Sequence, residues 1–171
     1  AIATWLLFFS GNITGNRYTG WDTHGLGFTN FLYFSDALRN FTIPLWNPLI
    51  QGGAFHPSLF NVGNYTPFQW IFIALSYVIN PVYAYELMIQ ATVLLGVVGF
   101  YLFLRYGGND KYISLFGAHA FFLSTLMPIT GQIAFIFSLA ALPWLLLLCR
   151  SVLLCRDPVN WWILLFWAAM S

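Results

Sequence analysis

Charged side chains are scarce in this sequence. Of its 171 residues only 6% are charged, six Lys or Arg against five Asp or Glu, and the net charge is +1. A soluble domain carries about 25% charged residues, so this chain has too few to cover a soluble fold with polar surface. Intrinsic disorder is excluded because it requires low hydrophobicity and high net charge. The small net charge gives no reason to expect nucleic acid as a partner.

Cysteine is rarer still, since the sequence contains only Cys149 and Cys155. Two cysteines six residues apart form neither a metal motif nor a disulfide framework. No two histidines have the i,i+4 spacing of a metal site, so the sequence predicts no metal and no evident cofactor. The sequence also contains no internal repeat, no charge block and no low-complexity tract.

Apolar residues dominate what is present, with 60% hydrophobic and 20% aromatic residues and a mean hydropathy of +0.74. This composition predicts an all-α integral membrane protein, a multi-span helical bundle in a single membrane domain. Apolar half-spans open and close the chain at residues 1–10 and 159–171. We therefore expect the chain to belong to a longer membrane protein.

The interior of the chain divides into a long polar segment and three apolar spans. Residues 11–66 are the least apolar stretch, rich in Gly, Asn, Thr and Pro. Small residues in the spans are predicted to lie at helix–helix contacts, because they let backbones approach in lipid. These residues are Gly96, Gly99 and Gly117. The complete spans are predicted at 83–106, 112–128 and 133–150.

The apolar run 67–80 decides the topology. As a helix it would reach about 21 Å, too short for a hydrocarbon core of roughly 30 Å. If it does not cross, the basic loops at 105–111 and 150–158 lie in the cytoplasm, as basic loops do. We therefore predict that 11–82 is one long outer loop with an interfacial helix at 67–80. If that helix crossed the membrane, all six basic residues would lie outside.

A second interfacial, juxtamembrane helix is predicted at 28–39 in the outer loop. Apolar side chains recur there at helical spacing, namely at Phe28, Phe31, Leu32 and Leu38. The two interfacial helices flank a proline-rich turn at 43–48. The outer loop is thus expected to carry helical structure on the membrane surface.

Three elements of the outer loop occur in the order of a known family. They are Gly20-Trp21-Asp22-Thr23, then Pro44-Leu45-Trp46-Asn47-Pro48 with Gly52-Gly53 after it, then Asn64-Tyr65-Thr66-Pro67. In this order the chain resembles the bacterial YfhO-like membrane proteins, which have the GT-C fold of glycosyltransferases that use polyprenyl-phosphate sugars. Further similarity lies in the end of span 83–106 and in Leu142-Pro143-Trp144. The resemblance covers nearly the whole chain but only the N-terminal part of such a protein.

The resemblance implies a membrane glycosyltransferase in the bacterial cytoplasmic (inner) membrane. It implies a lipid-linked sugar as donor, a cell-envelope acceptor, and membrane lipid as a partner. GT-C enzymes carry an acid in the first outer loop that acts as general base or orients the acceptor, and the resemblance assigns that role to Asp22. An Asp in a Gly-flanked turn is also ordinary turn chemistry, so a structural role for Asp22 stays open.

Five further outer-face residues are candidates for substrate binding. They are His24, His56, Glu86, Arg17 and Arg39. The first three could line one polar cavity together with Asp22 and Gln132, and the two arginines could meet a lipid phosphate. Each has an ordinary alternative, since an acid at the start of a span favours the helix N-terminus and arginines snorkel to headgroups.

His119 lies near the middle of the predicted span 112–128, between small residues. Ionisable residues at that depth are scarce and usually functional. An interhelical hydrogen bond is the favoured interpretation, and an axial ligand to a haem or chlorophyll-type pigment is the other. Members of the family usually have an apolar residue here. The alternative function is a non-enzymatic accessory transmembrane subunit of a larger membrane complex with other membrane subunits. A pigment or haem in that complex would give His119 a role as its ligand.

Overall fold

The structure is a computed structural model that describes residues 2–14, 18, 20, 23–42, 46–47, 54–55, 67–126 and 133–153. Within these residues the fold is all-α, as the composition predicted, apart from one pair of two-residue strands. The elements in chain order are α1 Ile2–Phe8, α2 Ser10–Ile13, a π-helical turn Thr23–Phe28 that leads into α3 Thr29–Arg39, β1 Trp46–Asn47, β2 Ala54–Phe55, α4 Pro67–Leu75, α5 Pro81–Tyr106, α6 Lys111–Phe121 with a π-helical continuation Phe122–Leu126, and α7 Ile133–Leu153.

The 26-residue helix α5 is the central element. It begins two residues before the predicted span because the Asn80 side chain accepts a hydrogen bond from the Val82 N–H at 2.9 Å and Pro81 suits the first turn. Among the described helices, α5 is the one long and apolar enough to cross a membrane by length and composition. A shorter apolar helix comprises Phe135–Ser151.

Small residues bring α6 and α7 against α5, which confirms the prediction for the three glycines. A Cβ atom at Gly96 would lie 2.9 Å from the Cα of Ala140, so the two backbones are in direct contact. Gly99 faces the indole of Trp144, and Gly117 faces α5 across the other interface. Close backbone approach of this kind is what small residues permit at helix contacts.

The contacts also define the helix directions. Residue numbers rise together where α5 meets α7, so these two helices are parallel. The Phe100 ring stacks on Phe121 at 4.5 Å, and Gly96 lies near Leu126 just after α6, so α6 runs antiparallel to α5. Nε1 of Trp144, in the Leu-Pro-Trp element, donates to the Leu95 carbonyl at 3.1 Å. That element therefore fastens α7 to α5.

Two predicted helices have different ends in the structure. The helix predicted at 67–80 ends at Leu75, because the Ser76 hydroxyl hydrogen-bonds the Ile73 carbonyl at 2.6 Å and a turn follows before α5 is capped. The span predicted at 112–128 becomes π-helical after Phe121, and its last two residues lie outside the described part. The predicted half-span 159–171 also lies outside it.

Candidate functional site

A buried carboxylate lies near the start of α5. Glu86 is 1% exposed, and Nδ2 of Asn12 in α2 donates to its Oε2 at 3.0 Å. The Tyr83 hydroxyl adds a second link by donating to the Ile13 carbonyl at 2.7 Å. A buried charge is costly without such donors, so the amide of Asn12 offsets part of the desolvation of Glu86. The pair joins α2 to α5 across 74 residues of sequence.

A second polar side chain continues this face of α5. Gln90 lies one helical turn beyond Glu86 and is buried, and neither its Oε1 nor its Nε2 has a hydrogen-bond partner among the described residues. The same holds for Nε1 of Trp5 in α1. Buried polar groups are normally hydrogen-bonded. Glu86 and Gln90 therefore form a buried polar stripe, one helical turn apart, on one face of α5.

Helix α3 covers the first turns of α5. The ring of Tyr85 lies 5.4 Å from both Phe28 and Phe31, measured between ring centroids. One turn further along the same face of α3, the Ser35 hydroxyl is 3.1 Å from that of Ser76, and the Tyr77 hydroxyl donates to the Ser35 carbonyl at 2.9 Å. These contacts fix α3 over the turn that joins α4 to α5.

The proline-rich element of the resemblance is also attached to α3. Its strand β1 pairs with β2 in antiparallel fashion, Trp46 opposite Phe55 and Asn47 opposite Ala54. The Tyr33 hydroxyl of α3 donates to the Trp46 carbonyl. Helix α3 thus connects the family-like hairpin to the helices beside Glu86.

The structure describes three of the candidate residues at side-chain level. Glu86 is buried on Asn12, and Arg39 is exposed in the last turn of α3. His24 lies in the π-helical turn before α3, but its side chain is outside the described part. Outside the described residues lie Asp22, Arg17 and His56. The shared polar cavity predicted for these residues therefore stays a prediction.

His119 is the third described candidate, and it lies at the perimeter of the helices. Its side chain is half-buried on α6, next to the exposed Phe116 and Leu123. The interhelical hydrogen bond predicted for it does not occur with any residue of the described ranges. Its proposed role as a pigment or haem ligand stays a prediction. Among the described residues, no group of three or more His, Cys, Asp or Glu could hold a metal ion.

Sequence reasoning missed Asn12 and Gln90. Asn12 begins an Asn-x-Thr triplet, a pattern that points to a glycosylation acceptor and not to a buried hydrogen-bond donor. Both residues could have been identified from the sequence as amide side chains within or beside an apolar helix, where a polar group needs a hydrogen-bond partner. No sequence pattern around Asn12 or Gln90 predicts that its side chain is buried.

No protein-family model, no curated protein and no solved structure matches this chain. The similarity to the YfhO-like proteins therefore rests on the motif residues of the sequence.

We expect Asn12→Leu to lower the free energy of unfolding by about 1–3 kcal/mol, because the Glu86 carboxylate stays buried and loses its amide donor. Thermal unfolding in detergent measures this loss. The double variant Asn12→Leu/Glu86→Leu should recover much of it, since neither the Asn12 amide nor the Glu86 carboxylate then stays buried without the other. Wild-type stability of Asn12→Leu would show that the hydrogen bond does not support the fold.

Proposed function

We propose that the chain is the N-terminal, membrane-embedded part of a GT-C-like glycosyltransferase that uses a polyprenyl-phosphate sugar. The observation that carries the membrane assignment is an inverted distribution of side chains. Helix α5 buries Glu86 and Gln90, whereas α6 exposes Tyr112, Ile113 and Phe116, the last of them 76% exposed. Large apolar side chains outside and polar ones inside suit a hydrocarbon surrounding and are unfavourable in water.

Helix lengths support a bundle with several spans. The 26 residues of α5 correspond to about 39 Å, enough for a hydrocarbon core of roughly 30 Å, and the 21 residues of α7, which include the shorter apolar helix Phe135–Ser151, correspond to about 31 Å. The basic ends of the two helices come together, since a Cβ atom at Gly107 would lie 3.4 Å from Nη1 of Arg150. This supports one cytoplasmic side for both basic loops and an outer side for residues 11–82.

This topology predicts opposite labelling of two tyrosine positions. Tyr18 in the outer loop and Tyr106 at the end of α5 are 53% and 52% exposed. In a variant with Cys149 and Cys155 replaced by Ser, a membrane-impermeant thiol reagent added outside should label Tyr18→Cys and leave Tyr106→Cys unlabelled until the membrane is permeabilised. The reverse pattern would invert the topology.

The proposed chemistry is direct transfer of the sugar to a cell-envelope hydroxyl. The acceptor oxygen attacks the anomeric carbon, the bond from that carbon to the lipid phosphate breaks, and the acceptor proton passes to the Asp22 carboxylate. The support is the motif order around Asp22 together with α3, which joins the family-like hairpin to the region of Glu86. An acid at the lipid–water boundary suits a donor whose phosphate lies in the headgroup region.

Transfer of a labelled sugar from a polyprenyl phosphate in proteoliposomes tests this proposal with the full-length protein. We expect label in an envelope acceptor fraction, and none when the donor is a soluble nucleotide sugar. Absence of transfer from the lipid-linked donors would favour the accessory-subunit function.

A second candidate function is an accessory transmembrane subunit that carries a haem or pigment. The observation in its favour is the half-buried His119 on an apolar outer face, without a hydrogen bond to the described residues. Protein purified from native membranes would then show haem or pigment absorption, and His119→Ala would remove it. A colourless wild-type preparation would argue against this function.

A further inference from the structure

We propose that α4 is a re-entrant half-span that enters the membrane beside the outer half of α5 and presents one face to lipid acyl chains. The proposal rests on the membrane embedding proposed above. It replaces the sequence-based expectation that the helix at 67–80 lies flat at the interface.

The first argument is the depth that α4 reaches. Phe68, in its first turn, packs against Ala140 and Ala141 of α7, and Gly96 of α5 packs on the same Ala140. Gly96 lies about 22 Å along the helix axis from Pro81, beyond the midpoint of α5. Since the turn after α4 leads directly into Pro81, α4 runs antiparallel to α5 and its start is the deep end. A helix lying flat on the surface would keep Phe68 near the level of Pro81.

The second argument is which side of α4 is buried. Gln69 is 1% exposed and Ser76 is buried, whereas Ile71 is 64% exposed and Trp70 and Val78 are exposed as well. In water an isolated surface helix would turn these apolar side chains inward. In hydrocarbon the observed burial of Gln69 and Ser76 is favourable, because it keeps the Gln69 amide and the Ser76 hydroxyl away from lipid.

The third argument identifies lipid rather than protein as the occupant of this face. Residues 67–80 contain no charged side chain, so the face offers no electrostatic complement to a protein partner. It adjoins an apolar surface of α7, since Phe68 packs against the cluster of Ala140 and Ala141 and the neighbouring Leu142 is exposed. Pro67 also suits a helix that begins inside a membrane, because it has no N–H to leave unsatisfied there.

Site-directed spin labelling tests the proposal on the full chain in liposomes, with Cys149 and Cys155 replaced by Ser. A label at Ile71→Cys should lie about 6 Å or more below one at Val78→Cys, because four residues of helix at about 1.5 Å each separate Ile71 from the end of α4 at Leu75, and Val78 lies in the turn beyond it. It should collide readily with oxygen, which dissolves in hydrocarbon, and rarely with a water-soluble nickel complex. If Ile71→Cys does not fold, Ala74→Cys on the same exposed face carries the label.

Three outcomes would overturn the proposal. Equal, shallow depths at Ile71 and Val78 would mean a flat interfacial helix. Low collision rates with both reagents at Ile71 would mean that protein covers the face. A label at Leu146→Cys, exposed on α7, distinguishes failure of the membrane embedding from failure of the re-entrant α4. If the nickel complex reaches this label, the membrane embedding itself is wrong. If only oxygen reaches it, α7 is in the membrane and the results at Ile71 and Val78 concern α4 alone.

Discussion

Asp22→Asn is expected to reduce glycosyl transfer by the full-length protein by about 10²- to 10⁴-fold. The amide keeps the size and much of the hydrogen-bonding capacity of the carboxylate but cannot take the proton of the acceptor hydroxyl. Asp22 lies between Gly20 and Gly25 in a turn-like sequence, and Asn suits turns as well as Asp does, so the unfolding temperature should stay at the wild-type value. Initial rates in proteoliposomes and thermal unfolding in detergent measure the two effects separately.

Asp36→Asn is the matched control. Asp36 lies exposed on α3 in the same outer loop, so its variant loses the same charge without a proposed role in transfer. Its rate should stay within a few-fold of the wild type. If both variants lose the same transfer activity, the rate depends on the negative charge of the outer loop and not on a general base at Asp22. Near-normal transfer by Asp22→Asn would remove this residue from the mechanism, and failure of that variant to insert would make Asp22 structural.

Composition and periodicity predicted much of the helical framework. The all-α class followed from composition, and α3 and α5 lie where the apolar spacing and the long apolar run predicted them. The end of α4 could not be read in the same way. Its apolar run continues to Ile79, and the helix ends where the Ser76 hydroxyl bonds to the backbone of the previous turn. Hydropathy does not register such a local hydrogen bond.

The candidate site was less accessible to sequence reasoning. Glu86 could be singled out as an acid near the start of an apolar span, but its burial against Asn12 joins residues 74 positions apart. Sequence spacing carries no signal for a contact of that range. The depth of α4 depends likewise on the contact of Phe68 with α7. The short apolar run 67–80 excluded only a helix that crosses the whole membrane. A flat interfacial helix and a re-entrant helix are both short enough to be compatible with it.

Gly96→Leu is expected to destabilise the helices by about 3 kcal/mol, the upper part of the range for overpacking a filled site. A Cβ atom at this position would lie 2.9 Å from the Cα of Ala140 and 3.0 Å from Cδ1 of Leu126. The leucine tip can turn away, but the backbone of α7 can yield only if the two helices separate. The larger side chain would therefore loosen the contact between α5 and α7. Thermal unfolding in detergent measures the loss.

Gly25→Leu is the control for the change of glycine itself. Nothing lies within 4 Å of a Cβ atom at Gly25, so the new side chain displaces no neighbour there. Leucine also has a higher helix propensity than glycine, by about 0.8 kcal/mol, which acts against destabilisation at both positions. A loss at Gly96 and little change at Gly25 would therefore isolate the backbone contact with Ala140. If both variants unfold like the wild type, α5 and α7 can separate at no cost, and the close contact at Gly96 does not hold them together.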